Sequence, residues 1–156
     1  MLRTLNPGSL AIKNLFTVLI GILMLGIVPV AADEIIALGK CLDVDHQGTA
    51  NGTRVQLWSC NQTKAQNWIH IPRTGEIRGM AGKCLDVQNG DTDDYTPVQL
   101  WECNGTKAQQ WWLADGEIRG LAGKCLDVYN ADTRNGTQVQ IVECNGTAAQ
   151  RWRIAQ

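Results

Sequence analysis

The chain has 156 residues, with 14 lysines and arginines against 15 aspartates and glutamates and a formal net charge of −1 at pH 7. That balance argues against nucleic acid or an anionic membrane surface as a partner, since either would favour a basic patch. One phenylalanine against six tryptophans is a further skew, and it suggests flat apolar faces with an N–H handle, used for packing or as stacking platforms.

Arg3 and Lys13 precede an apolar run from Leu15 to Val28. The run is shorter than the roughly 20 residues of a spanning helix and close to a secretory hydrophobic segment. Pro29 breaks it, and Val30-Ala31-Ala32 supplies small residues for cleavage. Residues 1–32 are therefore expected to be a signal peptide, and 33–156 a secreted, monomeric domain with no membrane attachment after cleavage. An uncleaved N-terminal anchor is the alternative, if the run is extended through Ala32. The remaining length suits one compact domain with a core of its own, not two.

Self-similarity sets the architecture of that domain. Gly39–Trp68, Gly82–Trp111 and Gly123–Trp152 each read G-K-C-L-D-V, then V-Q-L-W or its variant before a second Cys, then Q-x-W. Repeat bounds of about 33–74, 75–115 and 116–156 follow. Alternation such as Leu42-Asp43-Val44 and Val55-Gln56-Leu57 favours strands, and turn-rich stretches such as Gln47–Gly52 separate them. Gly75–Gly79 and Gly116–Gly120 add a further strand bounded by glycines, so each unit has about four short strands and no helix. Three units are too few to close a propeller of 4–8 blades. An all-β, pseudo-threefold β-trefoil is expected, with Leu42, Val44, Val55, Leu57, Trp68 and their counterparts in one shared core.

Each copy holds one cysteine pair, Cys41 with Cys60, Cys84 with Cys103 and Cys125 with Cys144, always 19 residues apart. Intra-repeat pairing is the only disulfide arrangement that every copy can form identically. A zinc site is the rival, but close C-x-x-C spacing and clustered histidines are absent. No cofactor or metal is expected. Asn-x-Thr sequons at Asn51, Asn61, Asn104, Asn135 and Asn145 read first as turns, four of them being Asn-Gly; as glycosylation sites they would need a eukaryotic secretory route.

Three Q-x-W copies in register, at Gln66, Gln109 and Gln150, together with G-K-C-L-D-V, resemble the ricin-B-type lectins and the family-13 carbohydrate-binding modules over essentially all of residues 33–156. The resemblance implies that Asp43, Asp86 and Asp127 hydrogen-bond sugar hydroxyls, a role that suits an ionised carboxylate able to accept several bonds; service in a turn or to the Q-x-W glutamine is the bland alternative. Trp58 and Trp101 share the outward face with Gln56 and Gln99 and can offer a ring to a pyranose, or else pack on a neighbouring loop. By the same resemblance Trp68, Trp111 and Trp152 are core residues, and Gln66 and Gln109 brace the site. Ala65, Ala108 and Ala149 stand where these families often have an Asn, so Asn61, Asn104 and Asn145 are the candidates for that amide. In the third copy Val142 replaces the aromatic residue, and Asp127 is expected to be weak; Tyr129 aligns with Asp45 and Gln88 and is no substitute.

The functional expectation is a secreted, non-catalytic lectin for oligo- or polysaccharides, with galactose- and xylan-type chains as candidates. Its rivals are a trefoil inhibitor or protein-contact module, and an accessory binding subunit of a glycoside hydrolase or toxin. A glycosidase needs two carboxyls across the scissile bond. Asp86 with Glu102 and Asp127 with Glu143 recur as acidic neighbours, but the first copy has Ser59 in place of the Glu.

Overall fold

The computed structural model describes residues 32–155, so the expected signal peptide lies outside the described residues apart from Ala32. The first copy contributes β1 (Glu34–Ala37), β2 (Lys40–Val44), β3 (Thr53–Trp58) and β4 (Ile69–Ile71). The second contributes β5 (Glu76–Arg78), β6 (Cys84–Val87), β7 (Thr96–Trp101) and β8 (Trp112–Ala114). From the third come β9 (Glu117–Arg119), β10 (Cys125–Val128), β11 (Thr137–Val142) and β12 (Arg153–Ala155). Four short strands per copy match the alternation in the sequence. Among the described residues no helix is long and apolar enough to cross a membrane.

Within each copy the C-L-D-V strand pairs antiparallel with the V-Q-x-x strand, in one register: Asp43 faces Gln56, Asp86 faces Gln99 and Asp127 faces Gln140. Between copies, β3, β7 and β11 pair with one another, so the three units close into a ring. β1 and β12 pair antiparallel and bring the two ends of the domain together. Such closure removes sheet edges that would otherwise be exposed.

The apolar residues singled out from the repeat all fall in one buried cluster. Trp68, Trp111 and Trp152 belong to it, and each indole N–H donates to a strand carbonyl, Leu42 at 2.9 Å, Leu85 at 3.0 Å and Leu126 at 2.8 Å. A buried donor left unpaired would cost about 1–3 kcal/mol, so these bonds are what make Trp usable as a core residue. Two glycines are required by the same rings. A Cβ on Gly79 would lie 2.5 Å from the Trp68 ring, and one on Gly120 would lie 2.5 Å from that of Trp111.

All six cysteines are paired as the repeat implies, Cys41–Cys60, Cys84–Cys103 and Cys125–Cys144. Each pair has a nearby carboxylate, Glu34, Glu76 or Glu117, but a disulfide sulfur is not a thiolate and is no metal ligand of the usual kind. Each bridge closes a loop of sequence separation 19, which corresponds to about 3 kcal/mol of unfolded-state restriction. Cys84→Ala with Cys103→Ala is therefore expected to lower unfolding free energy by about 3 kcal/mol, measured by urea denaturation against the parent protein.

Candidate ligand-binding clefts

The aspartates of the repeat are more deeply placed than an outward-facing strand position suggests, and Asp43 is only 5% exposed. Two glutamines hold its carboxylate. Gln56, from the facing strand, donates to Oδ1 at 3.1 Å, and Gln66 donates to Oδ2 at 2.9 Å. The second copy repeats this with Gln99 and Gln109 on Asp86, both at 2.9 Å. Gln66 and Gln109 are fully buried and stand behind the carboxylate. Gln66 spends its remaining capacity on the backbone, donating to the Ser59 carbonyl and accepting from the Asn61 N–H. Both of its N–H donors are spent and the side chain is sealed from solvent, so it orients Asp43 from behind and does not face a ligand.

Asn61 has a related division of labour. Its Oδ1 accepts from the Thr63 N–H at 3.1 Å and the Thr63 hydroxyl at 2.7 Å, which leaves the Nδ2 amide to donate. Asn104 is held in the same way by Thr106. The Asn-x-Thr pattern after the second cysteine is thus an Asx turn, and it leads into the short turn carrying Gln66 or Gln109.

Around these groups lie two open clefts of similar size, about 380 Å³ in the first copy and about 400 Å³ in the second. Asp43, Gln56, Trp58 and Asn61 line the first, and Asp86, Gln99, Trp101 and Asn104 line the second. Trp58 is partly exposed and Trp101 is 37% exposed. Each cleft therefore presents an acceptor pair, an amide donor and an aromatic face, a set complementary to a polyol ring. They are not identical. Gln56 Oε1 accepts from Arg54 at 2.7 Å, whereas Pro97 occupies that position in the second copy and leaves Gln99 Oε1 without a partner among the described residues.

The third copy keeps the braced carboxylate, with Gln140 and Gln150 on Asp127 at 3.0 and 3.2 Å. Val142, its residue at the ring position, is buried. Tyr129 is exposed and lines a different hollow with Asp132, Arg134 and Asn135, which does not take in Asp127.

Two features were not read from the sequence. The first is a latch between copies: Asn135 accepts from Lys40 at 2.8 Å and the Ser59 N–H at 2.9 Å. Asn51 likewise accepts from Lys83 and the Glu102 N–H, and Asp94 from Lys124 and the Glu143 N–H. The signal was present, as a Lys in every G-K-C and an Asn or Asp ten residues after the first cysteine of each copy. The glycines after Asn51 and Asn135, both with φ above +80°, carry the latching loops past Trp101 and Trp58. The second missed feature is Trp112, which is exposed and lies outside both aspartate clefts.

Burial, only partly offset by the glutamine hydrogen bonds, pushes the Asp86 and Asp127 carboxyls above the usual aspartate range. Because the folded-state value exceeds the unfolded one, these two groups favour folding at low pH, and that contribution is lost as pH rises through the raised values. For binding the sign is opposite, since the ionised Asp86 is the better acceptor. Ligand affinity in its cleft should fall on acidification before an ordinary aspartate would titrate, as a calorimetric pH series would show. Gln109→Leu leaves Asp86 Oδ2 buried without its donor and is expected to lower stability at neutral pH by about 1–3 kcal/mol in urea denaturation.

Residues 32–152 match the model of the ricin-type beta-trefoil lectin domain. No curated protein matches the chain. Among solved structures, the designed 3-fold symmetric protein ThreeFoil is 32% identical, over 80% of this chain and 97% of its own, with a TM-score of 0.75. A non-toxic homologue of type II RIPs from Momordica charantia (bitter gourd), solved in complex with alpha-methyl-D-galactoside, is 26% identical over 80% of this chain and 47% of its own, with a TM-score of 0.71. An exo-beta-1,3-galactanase from Clostridium thermocellum is 25% identical over 80% of this chain and 30% of its own, with a TM-score of 0.74.

Proposed function

Since the chain belongs to the ricin-type β-trefoil lectin domains, a carbohydrate-binding family, we propose that it is a secreted, non-catalytic glycan binder with two working clefts, those of Asp43 and Asp86. The observation that carries this reading is the recurrence of one chemical set in two copies and its loss in the third. In both clefts a carboxylate locked by two glutamines stands with an Asn amide and a Trp ring.

The chemistry follows from what each group has left to offer. Each Asp oxygen accepts one bond from a glutamine and retains a lone pair for a sugar hydroxyl, so vicinal hydroxyls are fixed in orientation. Asn61 or Asn104 donates to a neighbouring hydroxyl, and the Trp ring covers an apolar pyranose face. In the second cleft, Gln99 Oε1 adds an acceptor that Arg54 occupies in the first. The two clefts are therefore expected to rank sugars differently, with galactose- and xylan-type chains as the first candidates.

Binding without hydrolysis is supported by the carboxyl count. Only Asp86 lines the second cleft, and Glu102 is exposed outside its lining. Asp45 is a second carboxyl in the first cleft, but Gln88 and Tyr129 replace it in the other copies. Incubation with a bound oligosaccharide should release no product by chromatography. Cleavage abolished by Asp86→Asn would overturn the reading.

Secretion is supported by the leader pattern and by a domain with every cysteine in a disulfide. N-terminal sequencing of the exported protein is expected to begin at Asp33. The likeness to part of the galactanase chain also favours a second arrangement, in which the domain serves as a targeting module beside an enzyme.

Stoichiometry is the main test. Calorimetric titration with a soluble oligosaccharide should give two sites, and Trp58→Ala or Trp101→Ala should each remove one. The ring contact is worth about 0.5–1.5 kcal/mol beyond its buried area, enough to silence a weak sugar site. Polymer binding should suffer more than monosaccharide binding at the surviving site, because two sites in one rigid body reinforce each other. Asp127→Ala should leave affinity nearly unchanged, with circular dichroism checking the fold. Three equal sites would show the third copy to be active.

A further inference from the structure

A third cleft, of about 400 Å³, has no aspartate in it. It lies between the turn joining β4 to β5 and the start of β8, and its lining includes His70, Arg73, Thr74, Gln110, Trp112 and Leu113. Trp112 is 56% exposed and Leu113 is also exposed. Neither packing nor repetition accounts for that indole, because the position holds Ile69 in the first copy and Arg153 in the third. A Trp left more than half in water, beside an exposed Leu, keeps its apolar face available.

The cleft is built on fixed backbone. The Trp111 N–H donates to the Gly75 carbonyl at 2.8 Å, and a Cβ on Gly75, whose φ is +76°, would lie 3.2 Å from the Trp111 nitrogen. The turn is thereby seated against the strand that carries Trp112. Its charge differs from that of the lectin clefts, where Asp43 and Asp45 line the first and Asp86 with Lys107 the second. No carboxylate lines it, whereas Asp43 and Asp86 line the other two. Arg73 is exposed and makes no ion pair or side-chain hydrogen bond with any described residue. His70, on the same lining, has a buried Nε2 with no partner, so its hydrogen-bonding capacity is unspent.

We propose that this cleft is a separate subsite for an acidic sugar, a pyranose bearing a carboxylate such as a uronate unit. The ring lies on Trp112 and the carboxylate pairs with Arg73, whose planar guanidinium suits a two-point contact with a carboxylate. Asp43 and Asp45 make the first aspartate cleft unfavourable to an anion, and in the second Lys107 only balances Asp86. The choice of a sugar rests on the glycan-binding reading, while the cleft and its charge preference do not. An acidic polysaccharide would then be gripped at separate clefts, its neutral units beside the aspartates and its uronates here.

The test compares methyl β-D-glucuronide with its uncharged counterpart, methyl β-D-glucoside, with affinity measured in every variant by calorimetric titration and the site located in the parent protein through the Trp indole N–H resonances, and with methyl galactoside as the probe of the aspartate clefts. Glucuronide is expected to shift the Trp112 signal and to bind at least about tenfold more tightly than glucoside, with affinity falling as salt is raised. Arg73→Gln and Trp112→Ala should each weaken it by about tenfold or more, without changing galactoside binding. The Trp58→Ala, Trp101→Ala double variant should retain it in full. Equal affinity for glucuronide and glucoside overturns the proposal, as does loss of glucuronide binding in the double variant with retention in Trp112→Ala. Galactoside binding without glucuronide binding overturns this subsite alone, and no binding of any of the three sugars overturns both readings.

Discussion

The structure depends on one clamp, used three times, in which the Q-x-W segment grips two adjacent residues of the C-L-D-V strand. Gln66 holds the side chain of Asp43, and Trp68 holds the carbonyl of Leu42. One grip serves the cleft and the other serves the core. Because both originate within three residues of chain, the carboxylate cannot move without disturbing the packing of the central cluster. Two residues apart on the strand, Leu42 and Val44 are sealed in that cluster, so the Asp between them is placed by the hydrophobic core as much as by its own hydrogen bonds. Preorganisation of this kind lowers the ordering cost of binding a small flexible ligand.

The copies are coupled around the ring as well as within themselves. Asn135 of the third copy reaches the first, Asn51 of the first reaches the second, and Asp94 of the second reaches the third. The loops carrying the first two run beside Trp58 and Trp101, so each of these rings has a neighbour from another copy. The domain therefore behaves as a single body, and a lone repeat would lack a closed core.

Divergence between the copies is confined to positions that the clamp does not use. Val142 for Trp101, Pro97 for Arg54 and Trp112 for Ile69 all leave the clamp and its core untouched. A threefold scaffold can in this way keep its stability while each copy acquires its own surface chemistry. The exposed aromatic and cationic residues of the cleft between β4 and β8 belong to this unrepeated part.

Much was determined by the sequence alone. The triple recurrence of G-K-C-L-D-V and Q-x-W carries the strand count, the disulfide pairing, the shared core and the identity of the braced aspartates, because each of these is a local pattern repeated in register. The division of the two outward faces was also legible, since a period of two sends Trp58 opposite to Leu57. Tertiary structure decided the rest. That Gln66 and Gln109 are sealed behind the carboxylates, that Asn51, Asp94 and Asn135 latch different copies together, and that Trp112 and Arg73 line one cleft are all matters of which distant residues become neighbours. A one-dimensional pattern records what each copy shares, whereas contacts between copies arise only when the ring closes, and an unrepeated residue such as Trp112 has no pattern to announce it.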